Sequence, residues 1–153
     1  MSDPIQSLQE RYFPDMACFG CGPANDKGLR LRSYERGDGV VTALFTPWPE
    51  HDNGVGYLNG GIIATVLDCH SAAAVVHEAH ARGWPPLPGA ALPYVTAGLE
   101  VSYLRPAPLN ETVELYAEVA EATEAQMTAH VRLEYDGKTR AEVTALWKRW
   151  RPR

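Results

Sequence analysis

Between Gly28 and Trp150 the chain switches between two hydrophobic periods. Leu29, Leu31 and Ser33 alternate with Arg30, Arg32 and Tyr34, which predicts a strand from Gly28. Arg36-Gly37-Asp38-Gly39 is a hairpin signal, and Val40 to Thr46 is the returning strand. Pro47, Pro49, Asp52, Asn53, Gly54 and Gly56 then mark an irregular loop. From Asn59 to about Arg82 the pattern becomes helical and rich in alanine. The first half of this helix is apolar nearly all round, which predicts burial. Gly83-Trp84-Pro85-Pro86-Leu87-Pro88-Gly89 ends it in a proline-rich excursion. Alternation resumes over Val95 to Leu104, Thr112 to Ala122, Gln126 to Tyr135 and Thr139 to Trp150, with an Asp136-Gly137 hairpin before the last strand. The inward face of the second of these carries Val113, Leu115, Ala117 and Val119. Short turns make these strands antiparallel. The prediction is an α+β domain: one antiparallel sheet and one long buried helix.

Residues 1–27 fall outside this pattern. Pro4, Pro14 and Pro23 interrupt them, and they read as a short helix (Ile5 to Tyr12) followed by loop. The expected organisation is an extension over 1–27 and a single domain over 28–150. The 153 residues suffice for one domain with a core. A net charge of −5 argues against general nucleic-acid binding, and the basic end Trp147 to Arg153 reads as a solvated tail. No apolar run is expected to span a membrane, and Met1 to Ile5 lacks a leader pattern, so a cytoplasmic protein is expected.

The chemistry concentrates where the glycine-rich loop meets the helix. Asn59-Gly60-Gly61 opens the helix, and Asp68 is its one acid among Ile62, Ile63, Ala64, Val66 and Leu67. Free N–H groups at a helix start can polarise a carbonyl oxygen. An acid in the following turns, if it lies near that spot, gives acyl-transfer chemistry. His70 faces another side of the helix and reads as packing. His77-Glu78-Ala79-His80 lacks the further ligand of a zinc motif. Cys18 and Cys21 form a Cys-x-x-Cys pair, but Cys69 lies inside the helix and no second pair exists; packing of the amino-terminal loop is the expected role.

The order of elements, the Asn-Gly-Gly helix start and Asp68 together resemble the hotdog-fold thioesterases of the phenylacetate-pathway (PaaI) type. In that family a sheet wraps a central helix that opens with His-Gly-Gly, and an aspartate follows nine positions after the His. Here Asn59 stands in the position of the His and Asp68 in that of the aspartate. Asn53, six positions before the motif, matches a characteristic asparagine. Thr96, ten positions before Pro106 of the Arg105-Pro106-Ala107 strand end, matches an assisting Ser or Thr. Cys18 to Asn25 followed by Gly28-Leu29 looks like the amino-terminal signature of one branch. The resemblance implies an acyl-CoA thioesterase. Asp68 serves as general base or nucleophile, the Gly60 N–H as oxyanion donor, and Asn53, Asn59 and Thr96 as orienting groups. Gly61 and Arg105 are expected to bind substrate. No metal, redox cofactor, nucleic acid or membrane is implied. A homodimer or dimer of dimers is expected, with the site between subunits and Asp68 and Thr96 drawn from different chains. Asn59 cannot titrate as a His does, which keeps open a non-catalytic acyl-CoA-binding module, and behind it a hotdog dehydratase or hydratase. Between Asp68 and Thr96 the chain is longer than the family pattern, and the excursion around Trp84 to Pro93 is expected to shape the acyl pocket, with Trp84, Tyr94 and Tyr57 as candidate lining.

Overall fold

The computed structural model describes residues 5–153. A short helix, α1 (Leu8–Tyr12), comes first; Ser7 caps it and Glu10 reciprocates in a capping box. Ile5 and Gln6 stay outside the helix. Two strands follow, β1 (Ser33–Glu35) and β2 (Val41–Phe45), then the helix α2 (Gly60–Ala81). Four strands complete the chain: β3 (Tyr94–Tyr103), β4 (Val113–Ala122), β5 (Gln126–Tyr135) and β6 (Lys138–Arg149). All six strands form one antiparallel sheet in the order β1-β2-β4-β5-β6-β3. The sheet wraps α2, the α+β hotdog arrangement.

Local chemistry accounts for most boundaries. Asp136 and Gly137 both adopt positive φ, 53° and 72°, as a tight β5–β6 hairpin requires. Val113, Leu115 and Ala117 of β4 are buried, as their alternation demands. Alanines let helix and sheet approach closely: Ala72, Ala73 and Ala79 face a floor that includes Ala129, Ala141 and Ala145. Tyr94, Met127 and Trp147 fill the space at the far end of the helix.

Three expectations need correction. The first strand begins at Ser33 rather than Gly28. Arg30 sits at φ 55°, and the N–H groups of Leu29 and Leu31 donate to Phe19 (2.7 Å) and Gly20 (3.0 Å) instead of to a neighbouring strand. Burial still alternates over Leu29 to Ser33, so the period was right and the partner was not. The second correction concerns α2. Its 22 residues are long and apolar enough to cross a bilayer, but most of its apolar window is buried inside the protein. The third concerns where α2 is covered. Burial is continuous from Cys69 to Val76, whereas Gly61 is exposed and Ile62, Ala64, Thr65 and Asp68 are only half-buried. The start of the helix keeps one apolar side open.

Candidate active site

The loop before α2 is tied down by its own side chains. Asp52 Oδ1 accepts from the Gly54 and Gly56 N–H groups at 2.7 and 3.0 Å. Asn53 Oδ1 accepts from Val55 and Tyr57 at 2.9 and 3.2 Å. Gly54 and Gly56 turn at φ 96° and 88°, where a side chain would be strained. The chain then enters the helix at Asn59, whose Oδ1 accepts from Gly61 (2.8 Å) and Ile62 (3.2 Å). Asn59 is therefore the N-cap, a role asparagine fills well. The Ile63 N–H donates to the Asn59 carbonyl. Of the first N–H groups of the helix, that of Gly60 alone has no acceptor among the described residues. Tyr103 Oη donates to the Gly60 carbonyl at 2.7 Å and fixes this turn against β3.

Two turns further on, Thr96 Oγ1 donates to Asp68 Oδ1 at 2.8 Å. Thr96 sits at a β-bulge, where the β3–β6 register shifts between Thr96 and Gly98. Such a bulge re-aims side chains out of the strand's regular alternation. Asp68 and Thr96 open onto a cleft of about 350 Å³ walled by Phe13, Met16, Leu92, Val95 and Trp147. The walls are apolar, and the carboxylate is held by one hydroxyl. Burial pushes the Asp68 pKa up, the Thr96 hydrogen bond pulls it down, and negative charge on Cys18 adds to the upward push. Trp147 is locked: its Nε1 donates to Ser71 Oγ at 2.9 Å, and Ser71 Oγ donates to the Asp68 carbonyl at 2.6 Å.

The expected residues separate into two groups. Asp68 and Thr96 meet within one chain, which corrects the expectation that they come from different chains. Gly60, Asn59 and Asn53 gather at the helix start. Gly60 and Asp68 are eight positions apart, a rise of roughly 12 Å along the axis. Contrary to expectation, the acid does not lie beside the free N–H of its own helix. The Gly61 N–H is taken by the cap, so it offers nothing to a substrate. Arg105 is exposed, and its side chain has no partner among the described residues.

The aromatic expectations are also revised. Tyr94 is fully buried and donates to the Glu124 carbonyl at 2.8 Å. Tyr57 is exposed, and Trp84 packs on the second core cluster. None of the three lines the Asp68 cleft; Leu92 of the excursion does, with Trp147 of β6. The excursion itself is pinned by Arg149, which donates to the Trp84 and Pro85 carbonyls at 2.8 and 2.6 Å.

His70 is a packed histidine. Its Nε2 bonds the Val41 carbonyl at 2.9 Å and its Nδ1 bonds Ser33 Oγ at 2.8 Å. Gln9 donates to the same Ser33 oxygen at 2.9 Å. That leaves the Ser33 proton for Nδ1 and makes Nε2–H the donor of a neutral ring. His77 contacts Tyr12 Oη at 2.9 Å and Glu35 at 2.7 Å, and His80 stacks on the Tyr12 ring.

The cysteines depart most from expectation. Cys69 is not isolated: its Sγ lies 3.8 Å from Cys18 Sγ, and the sulfurs of Cys18, Cys21 and Cys69 all lie within 4.8 Å of one another. The three border the same cleft as Asp68. Cys18 has its pKa driven well down by the thiols of Cys21 and Cys69 and by the backbone N–H groups of Cys21 and Gly20. Cys21 and Cys69 are pushed up in return.

A six-stranded antiparallel sheet around one helix, with an open helix start and an aspartate in mid-helix, defines the class as a hotdog protein. Residues 55–142, more than half of the chain, match the family described as the thioesterase superfamily, and the chain belongs to that family. Among solved structures it is similar to a thioesterase superfamily protein from Shewanella loihica, 28% identical over 84% of this chain and 98% of that one, with a TM-score of 0.64. Zebrafish thioesterase superfamily member 2 is 22% identical over 83% and 90%, TM-score 0.65. The Escherichia coli PaaI protein from the phenylacetic acid degradation operon is 17% identical over 80% and 81%, TM-score 0.66. No curated protein matches the chain.

Proposed function

We propose that the protein is an acyl-CoA thioesterase whose active site is completed by a second copy of the chain. The observation that carries this reading is the Thr96–Asp68 pair, 2.8 Å apart, in an apolar cleft next to a helix whose start keeps a free N–H. Asp68 either takes a proton from water or attacks the thioester carbon itself. Thr96 orients the carboxylate. A carbonyl carbon in reach of Asp68 cannot also place its oxygen on the Gly60 N–H of the same helix, roughly 12 Å away. A two-fold partner with its helix antiparallel brings the second copy's Gly60 N–H to that oxygen. The half-open first turns of α2 and the outer edge of β3, with Leu99, Tyr103 and the following Leu104 exposed, supply apolar surface for such a contact. Asn59 and Asn53 shape the oxyanion turn, and Arg105 is a candidate for the phosphates of coenzyme A.

The test is thiol release from a panel of acyl-CoAs, run beside a binding measurement. Wild type turns over at least one member, and Asp68→Asn loses ~10²–10⁴ in rate while keeping its fold. Tight binding without thiol release would instead make the protein a binding module, the reading favoured by the non-titrating Asn59. An Asp68→Asn variant with wild-type turnover would remove the proposed chemistry.

A further inference from the structure

We propose that Cys18, Cys21 and Cys69 form a binding site for one zinc ion, a clamp between the amino-terminal loop and α2. The first argument is distance. A tetrahedral zinc with thiolate ligands holds its sulfurs about 3.8 Å apart, since each Zn–S bond is near 2.3 Å. Cys18 and Cys69 stand 3.8 Å apart, and all three sulfurs fit within 4.8 Å. They come from segments far apart in sequence, so the fold itself assembles the set.

The second argument is the loop. Cys18-Phe19-Gly20-Cys21-Gly22 turns back on itself, with the Gly22 N–H donating to the Cys18 carbonyl at 2.8 Å. The glycines are there for lack of room. A Cβ on Gly20 would lie 2.3 Å from Cys69 Sγ, and one on Gly22 would lie 2.3 Å from the Cys18 nitrogen and 2.5 Å from the Met16 carbonyl. The loop thus passes against α2 at the thiol itself.

The third argument is charge and donor type. Three thiolates this close would repel one another, so the set ionises fully only around a bound cation. Coordination displaces the remaining thiol protons into solvent. An all-sulfur set selects a thiophilic ion and disfavours magnesium or calcium. Three protein ligands leave one tetrahedral position for water or another small ligand. Cys18, the exposed member, gives the ion a way in.

The test needs no turnover. The full chain is purified under reducing conditions without chelator and its metal content measured. The expected result is one zinc per chain. Cobalt added to the metal-free protein should give a sulfur-to-metal charge-transfer band, and zinc should raise the unfolding temperature. Cys69→Ala replaces a buried thiol by a small apolar group. It should fold, as circular dichroism reports, yet lose the band and bind zinc weaker by more than the about 10–100-fold expected of an outer contact. Cys18→Ser, at the exposed member, gives an independent second variant with the same expected loss. Free reaction of all three thiols with no retained zinc and no cobalt band would overturn the proposal. So would a disulfide among them in the protein as isolated from cells.

Discussion

The start and the middle of α2 belong to one helix but are built on opposite principles. At the start the group on offer is backbone: Asn59 occupies two N–H groups and leaves that of Gly60 free, on a turn half open to solvent. In the middle the groups on offer are side chains: Asp68, Cys69 and His70 follow one another and point to three different environments. Asp68 enters an apolar cleft, Cys69 joins two thiols, and His70 closes a buried hydrogen-bond chain. On the proposed function, the difference teaches that one chain carries two separated half-sites. A helix cannot bring positions eight residues apart to one carbonyl.

The strongest way to break that comparison is to disable each half separately. Gly60→Pro removes the free N–H while respecting the helix, because proline suits the first helical position. Asn59, at ψ 133°, already has the extended backbone that a following proline requires. Activity should fall about 10²–10³-fold, as for loss of an oxyanion donor. Mixed with inactive Asp68→Asn and allowed to exchange subunits, it should recover roughly a quarter of wild-type turnover, since half the dimers are mixed and each holds one intact site. Mixing Asp68→Asn with Thr96→Val should recover nothing beyond the Thr96→Val activity alone, because both changes lie in the same half. Equal recovery in the two mixtures would show that the halves are not divided as described.

Acid sharpens the contrast at the level of stability. His70 is fully buried and neutral, with its pKa pushed down to about 4 by burial. The unfolded chain binds that proton near pH 6.5. The folded state therefore keeps its full stability above about pH 6.5 and loses it as pH falls towards 4, by up to about 3 kcal/mol. Unfolding temperatures across this range should show the fall, and His70→Gln should flatten it while lowering stability at neutral pH. The N-cap itself is no such group, since Asn59 does not titrate. Its smaller signature is the cap. Asn59→Ala should cost about 1 kcal/mol in thermal unfolding and lower activity modestly, while Asn59→His should keep activity. Should Asn59→His instead create activity absent from wild type, the binding-module reading gains.

The sheet was legible because its signals are local. Asp136-Gly137 could form only a tight turn, and the alternation over Val113 to Val119 left one choice of inward face. The helix was legible to within a residue at each end, since Asn59 and the Gly83-to-Gly89 run mark them. Failures arose where a distant partner decided the outcome. Arg30 is left-handed because Leu29 and Leu31 bond the cysteine loop, which no periodicity over Gly28 to Tyr34 can reveal. Cys69 joins Cys18 and Cys21 because that loop folds over the helix, a contact spanning 51 positions. Thr96 was identified by resemblance, but its hydrogen bond to Asp68 depends on the bulge before Gly98. The separation of Gly60 from Asp68, by contrast, is readable from helix geometry alone, since eight positions along a helix span roughly 12 Å.

The absence of a side chain at residue 20 has a consequence for how this sequence can vary. Because a Cβ there would lie 2.3 Å from Cys69 Sγ and 3.0 Å from Thr65 Cγ2, the two chain segments cannot vary independently at that point. A library randomised at positions 20, 65 and 69 together should return them as linked combinations. Alanine at 20 would be accepted chiefly where 69 has shrunk, and a thiol at 69 only beside glycine.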